Sequence, residues 1–174
     1  KGDFYDTIIE VGNELANKKT FQAHSIILYG RCEYFKVALS QQWARKIDDK
    51  FFLNLRDMNF SANTFELILN GCISLSEHDT ISILAELLIA SDVLLLQELF
   101  DHVKSQLFEK RSQWNNDDLI TLLSISYQIP NAKDLYSLCQ DIIDDNPSIF
   151  FDSSKFKTID EDLLLHVLKL NIIG

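Results

Sequence analysis

The sequence predicts an α+β fold in which a small, mainly three-stranded sheet lies against a helical cluster and an all-α segment follows. Strand-like segments are confined to the N-terminal third of the chain, whereas helical spacing of apolar residues dominates the rest. The chain has 174 residues, 47% of them hydrophobic, with only five glycines and two prolines. It can therefore bury a substantial core, and we do not expect a disordered protein.

Three segments have the character of β-strands. Thr7–Val11 is short and rich in β-branched residues, and residues 18–23 can return as its hairpin partner. In residues 50–55 every second side chain is apolar, so one face of this strand can be buried. These segments predict a sheet close to the N terminus.

Helices are predicted from residue 34 onward. Residues 34–45 show helical spacing of Phe35, Leu39 and Trp43. Residues 81–90 are apolar nearly all round, which is typical of a central buried helix. The pattern is interrupted at residues 110–116 and then becomes wholly helical. We therefore predict two domains, residues 1–110 and residues 111–174.

The charge of the chain limits its partners. Asp and Glu number 26 against 16 Lys and Arg, which gives a net charge of −10. Nucleic acids and anionic membrane surfaces require a cationic surface, and the longest apolar runs are too short to span a membrane. We expect no nucleic acid or membrane partner, and a basic protein surface suits the chain better.

The cysteine content favours a reducing compartment. Cys32, Cys72 and Cys139 are odd in number, far apart and flanked by apolar residues, unlike a disulfide framework. We expect reduced thiols in a cytoplasmic protein, with the nucleus as a second location.

No catalytic, metal-binding or cofactor-binding motif is found in the sequence. Glycine-rich phosphate loops and the HExxH, CxxC and GxSxG motifs are missing, and the acidic pairs fall at predicted helix ends, where they cap helices. The histidines are isolated from one another and from cysteine: His24, His78, His102 and His166. We expect no catalytic residues, no metal and no cofactor, and therefore a binding module instead of an enzyme.

One group of residues resembles the BTB/POZ domain. That family places an Asp before the first strand, then F-x-A-H, an aliphatic run and Y-F; here Phe21-Gln-Ala-His24 precedes Tyr34-Phe35. Leu87–Leu94 is similar to the family's L-L-x-A-A-D-x-L helix. The resemblance covers about residues 3–109, and the segment from Trp114 is similar to the start of a BACK domain. The fold-signature residues are Asp6, Phe21, His24, Leu28 and Asp92.

His24 has three possible roles by sequence: metal ligand, catalytic base or buried structural histidine. The resemblance implies the third, and the apolar neighbours of His24 agree with it. A ligand or a base would need a second polar partner nearby in the chain, and none is evident.

The resemblance implies that the chain acts through protein partners. Many BTB domains dimerise, and many are substrate adaptors that bind the cullin of a cullin–RING ubiquitin ligase through the helix after Y-F. We expect this interface to include Phe35, Leu39, Gln42, Trp43 and Arg45. Trp43 is either an interface anchor or a side chain that closes the edge of the core.

Two features depart from the family patterns. Cullin-binding members carry hydrophobic-x-Glu where this chain has Trp43-Ala-Arg45, so the final charge is reversed. Repressor-type members pair an Asp with an Arg, but here Asp6 has Ser25 at the Arg position, so we do not expect a corepressor pocket. The dimer-forming helix of the family would precede Lys1, so a homodimer would form through residues before it. We predict a cullin–RING adaptor; the alternative is a scaffold or oligomerisation module with no ligase role.

Overall fold

The computed structural model describes residues 4–12, 18–70 and 80–173. The chain forms two compact units, Lys1–Glu77 with Glu86–Asp101 and His78–Ala85 with His102–Gly174. The described strands are β1 (Thr7–Val11), β2 (Lys19–Ala23), β3 (Arg45–Ile47) and β4 (Lys50–Leu55). The described α-helices are α1 (Ser25–Arg31), α2 (Glu33–Ala38), α3 (Ala62–Asn70), α4 (Ile81–Val93), α5 (Gln97–Glu109), α6 (Asn116–Gln128), α7 (Lys133–Asp145), α8 (Ser148–Asp152) and α9 (Glu161–Ile173).

The first unit contains a mixed sheet with the strand order β2-β1-β4-β3. β1 pairs antiparallel with β2 and parallel with β4, with Thr7 opposite both Ala23 and Phe51. Alternate residues of β1 are buried, as are Leu53 and Leu55 of β4. The three predicted strands and the α+β class are confirmed, and β3 adds a fourth strand at the edge.

β3 replaces the end of a predicted helix. We expected a helix over residues 34–45, but α2 ends at Ala38 and Arg45 begins a strand. Asp48 and Asp49 have φ of 49° and 62°, the left-handed backbone that a two-residue hairpin turn requires and that Asp tolerates. This turn pairs β3 with β4, so tertiary pairing overrides the local helical spacing.

The core of the first unit is centred on an aromatic cluster. Phe65 of α3 is fully buried, and its ring centroid lies 5.2 Å from that of Phe21 and 6.3 Å from that of Phe60. The Glu86 carboxylate of α4 accepts hydrogen bonds from the Ser61 N–H and the Thr64 hydroxyl, at 3.2 and 2.5 Å. This carboxylate therefore ties α4 to the N terminus of α3.

The second unit is helical in its described part, as predicted for the C-terminal segment. Asn115 caps α6 reciprocally with Asp118: the Asn115 side chain accepts from the Asp118 N–H, and the Asp118 carboxylate accepts from the Asn115 N–H. α6 contacts both α7 and α8. Leu122, Leu135 and Cys139 are fully buried, so these helices enclose an apolar core.

Candidate functional site

The candidate interface is the turn that leads from α2 into β3. The N–H groups of Trp43 and Ala44 both donate to the Ser40 carbonyl, at 3.1 and 2.8 Å. These bonds close a tight turn in which the Trp43 side chain is 72% exposed. An indole this exposed on a hydrogen-bonded turn is presented to solvent and does not close the core.

The five residues expected at the interface fall into two groups. Gln42, Trp43 and Arg45 are exposed, whereas Phe35 and Leu39 are buried. The expectation that Leu39 offers an exposed contact was wrong, because Leu39, the C-cap of α2, is buried. Phe35 and Leu39 therefore belong to the core and not to the exposed surface of the turn.

Cations of β3 lie over aromatic rings of β4. The Arg45 guanidinium is 5.8 Å from the Phe52 ring centroid, and the Lys46 ammonium is 4.6 Å from that of Phe51. Within residues 4–12, 18–70 and 80–173, no carboxylate forms an ion pair with Arg45 or Lys46. Their charges are therefore available to a partner surface.

His24 does not occupy the buried position that we expected. It is exposed at the N-cap position of α1, and its side chain makes no capping hydrogen bond. Its carbonyl accepts the N–H groups of Ile27 and Leu28, at 3.0 and 3.1 Å. The backbone of His24 thus starts α1, while Leu28 supplies the buried contact.

The remaining histidines and the cysteines have mixed placements. His102 and His166 are exposed, Cys32 and Cys139 are buried, and Cys72 and His78 lie outside the described residues. In the described part of the chain, no group of three His, Cys, Asp or Glu residues is arranged to hold a metal ion. No helix in that part is long and apolar enough to cross a membrane.

Asp6 links β1 to the N terminus of α1. Its carboxylate accepts the Ser25 N–H at 2.6 Å and the Ser25 hydroxyl at 2.5 Å, and the Thr7 hydroxyl lies at 3.1 Å. Burial raises the pKa of Asp6, but the hydrogen bonds outweigh it and the net pKa lies below the ordinary value. Ser25 thus supplies the hydrogen bonds that the Asp6 carboxylate needs, and no cation is required. The sequence analysis did not predict this link.

Asp92, the last signature residue, is half-buried near the C terminus of α4. Burial raises the pKa of its carboxyl group. Phe21 packs against Phe65, so among the fold-signature residues Phe21 and Leu28 serve the core.

We expect the first unit to lose stability in acid through Asp6 and Glu86. For Glu86, burial raises the pKa, but the hydrogen bonds from Ser61 and Thr64 outweigh it and lower the net value. A carboxyl group with a depressed folded-state pKa stabilises the fold above its unfolded pKa of about 4, and this is lost as the pH falls through the folded pKa. Urea unfolding at a series of acidic pH values should show this decline.

The matched variants Asp6→Asn and Glu86→Gln remove the titrating group while keeping an oxygen acceptor. Each should be less stable than the parent at neutral pH, with a flatter dependence of unfolding free energy on acidic pH. An unchanged slope in both variants would show that these carboxyl groups do not drive the acid response.

A second exposed apolar surface lies on α1. Ile26, Ile27 and Tyr29 are 78%, 54% and 50% exposed, and we call them the α1 face. Side chains of this size are usually covered when they are adjacent on one element. Leu28 is the residue of α1 that is buried, so the other apolar side chains of this helix remain on its surface.

Comparison with known families agrees with the geometry of the first unit. No curated protein matches the chain. The family model described as the BTB/POZ domain matches residues 1–112, more than half of the chain. The mixed sheet with its surrounding helices fits this match, and BTB/POZ domains mediate contacts between proteins. The chain therefore belongs to the BTB/POZ domain family and carries a protein-interaction module.

Proposed function

We propose that the chain is an adaptor that recruits a target protein to a cullin–RING ubiquitin ligase. The observation that carries this proposal is the exposed Trp43 on the turn between α2 and β3. Protein interfaces are dominated by a few large side chains, among which Trp is enriched. Gln42 and Arg45, also exposed, would supply the polar rim around this anchor.

The turn presents its anchor at low entropic cost. Two hydrogen bonds to the Ser40 carbonyl close the turn on one side, and the pairing of β3 with β4 fixes it on the other. A side chain held by a preorganised backbone loses less freedom on binding. This favours a binding surface over an accidental exposure.

Arg45 sets the charge of the proposed interface. The family resemblance aligns it with a Glu of cullin-binding members, so the corresponding cullin surface would be basic and would repel a guanidinium. Because Arg45 lies over Phe52 without an ion pair in the described residues, its charge is not offset locally. The interface is therefore expected to bind weakly as it stands.

The experiment is a calorimetric titration of the chain with the N-terminal domain of the BTB-selective cullin. We expect Arg45→Glu to tighten binding roughly tenfold or more, since it replaces a like-charge contact with an attractive one. Lys46→Glu is the matched control: it makes the same change of charge on the next residue of β3, whose side chain lies over a different ring.

The outcomes separate the candidate functions. Binding by the chain, or binding restored by Arg45→Glu and not by Lys46→Glu, supports the adaptor. If both variants change the affinity for the cullin equally, net charge alone explains the change. That outcome would argue against a specific Arg45 contact. No binding by any form favours the alternative function.

The alternative is a scaffold or oligomerisation module without a ligase role, and the α1 face favours it. A second copy of the chain could cover Ile26, Ile27 and Tyr29. In a two-fold dimer each copy contributes the same surface, so two apolar surfaces would pack against each other. Sedimentation of the chain and of Ile26→Asp would test this: a dimer that dissociates in the variant supports self-association through the α1 face, whereas a monomer in both excludes that contact.

We also propose that residues 111–174 form the start of a BACK-like domain and that the protein acts in the cytoplasm or the nucleus. The described helices α6 to α9 and the buried, unpaired Cys32 and Cys139 support these proposals.

A further inference from the structure

One carboxylate fastens the segment after α8 to the first turn of α6. Asp117 Oδ1 accepts the Ser153 hydroxyl at 2.7 Å and the Ser154 N–H at 2.9 Å, and Asp117 Oδ2 accepts the Ser154 hydroxyl at 2.6 Å. One turn further along α6, the Thr121 hydroxyl accepts the Lys155 ammonium at 2.6 Å. We call this set of contacts the Asp117 clasp.

The two serines of the clasp differ in accessibility. Ser153 is 6% exposed, and its hydroxyl also accepts the Lys155 N–H, so it is enclosed by the turn. Ser154 is exposed and lies in the turn that follows α8. Ser154 therefore lies on the surface, with its hydroxyl engaged with Asp117.

The residues that follow Ser154 include two cations, in a segment flanked by Asp152 and Asp160. Lys155 and Lys157 follow Ser154 within three residues, while the whole chain has a net charge of −10. Both lysines are exposed. A protein kinase that favours a basic residue directly after its target serine would find Lys155 in that position.

We propose that Ser154 is a phosphorylation site whose modification releases the Asp117 clasp. In the reaction Ser154 Oγ attacks the γ-phosphorus of ATP, the bond from that phosphorus to the bridging oxygen breaks, ADP leaves, and the hydroxyl proton passes to the base of the kinase. The product carries about −1.5 to −2 charges at neutral pH and has no hydroxyl donor.

Phosphorylation would reverse the interaction with Asp117. The hydroxyl that now donates to Oδ2 would become a phosphoester oxygen, and an anion would face a carboxylate at hydrogen-bonding distance. The Ser154 and Ser153 hydroxyls at present lower the pKa of Asp117, so this carboxylate is ionised at neutral pH. The Lys155 ammonium is bound to the Thr121 hydroxyl and does not replace the lost donor.

The first test is phosphoryl transfer to the full chain by a recombinant serine/threonine kinase selective for serine followed by lysine, with Mg-ATP. Mass spectrometry should locate one phosphate on Ser154 of the parent chain. The variant Ser154→Ala should lose this phosphate. A free peptide of residues 148–160 is the control for kinase specificity. If the kinase phosphorylates the peptide but not the folded chain, the proposal is overturned. The same holds if it phosphorylates neither of them.

The second test measures the clasp by hydrogen exchange. We expect the amides of residues 154–156 to exchange roughly tenfold faster in the phosphorylated chain, because a hydrogen bond to a charged group is lost. Ser154→Glu should act in the same direction and more strongly than Ser154→Ala, which removes the donor without adding charge.

Asp117→Asn separates repulsion from simple loss of contact. If like charge opens the clasp, Ser154→Glu should accelerate exchange much less in an Asp117→Asn background than in the parent. An equal acceleration in both backgrounds, or unchanged exchange in the phosphorylated chain, would overturn the proposed release.

Discussion

Replacing Phe65 with alanine is expected to lower the free energy of unfolding by about 3–5 kcal/mol. Phe65 is 0% exposed and packs edge-on against Phe21 and nearly parallel to Phe60. The substitution would leave a cavity where α3 meets β2, because the surrounding rings can collapse only in part. Urea unfolding followed by circular dichroism measures the change.

The matched control is Phe4→Ala, which removes the same side chain from a position that is 87% exposed. Its effect should stay within about 0.5 kcal/mol. Because a domain is stable by only about 5–15 kcal/mol, Phe65→Leu provides a milder variant that should still fold. A small loss in Phe65→Ala, comparable to that in Phe4→Ala, would contradict the aromatic core.

Trp43→Ala is expected to separate binding from folding. With 72% of the residue exposed, its removal should change the unfolding free energy by no more than about 0.5 kcal/mol. If Trp43 anchors the cullin, its loss should weaken binding by about 2 kcal/mol or more, roughly 30-fold. Calorimetric titration with the cullin N-terminal domain measures this, both in the native sequence and in the Arg45→Glu background.

Leu95→Ala is the control for Trp43→Ala. Leu95 is 60% exposed and lies in the same unit, in the turn between α4 and α5. It should leave cullin binding unchanged. Equal binding by the parent and by Trp43→Ala would remove Trp43 from the interface, and a large loss of stability would show that the indole supports the core.

The sheet shows where sequence reasoning succeeds and where it stops. β1 and β4 were predictable because alternating burial is a property of each strand alone. β3 was not, because its three residues are all exposed and become a strand only by pairing with β4. The signal that could have identified it was the Asp48-Asp49 pair directly before a predicted strand.

The candidate site shows the same division. Trp43 and Arg45 were identified by sequence, but their exposure depends on the early end of α2, which only pairing in the sheet explains. His24 was expected among buried residues because its neighbours are apolar. Two of those neighbours, Ile26 and Ile27, are themselves exposed on the α1 face, so apolar surroundings in sequence were not apolar surroundings in space.

By itself, the sequence determined the α+β class, the three strands with their own signals, the helical C-terminal segment and the family of the chain. These follow from local periodicity and motif order, which are properties of adjacent residues. Only the tertiary structure decided that Asp6 binds Ser25, that Glu86 clamps α3 and that Asp117 holds Ser153 and Ser154. Each of these contacts joins residues between 19 and 37 positions apart, where no local pattern specifies which groups will meet.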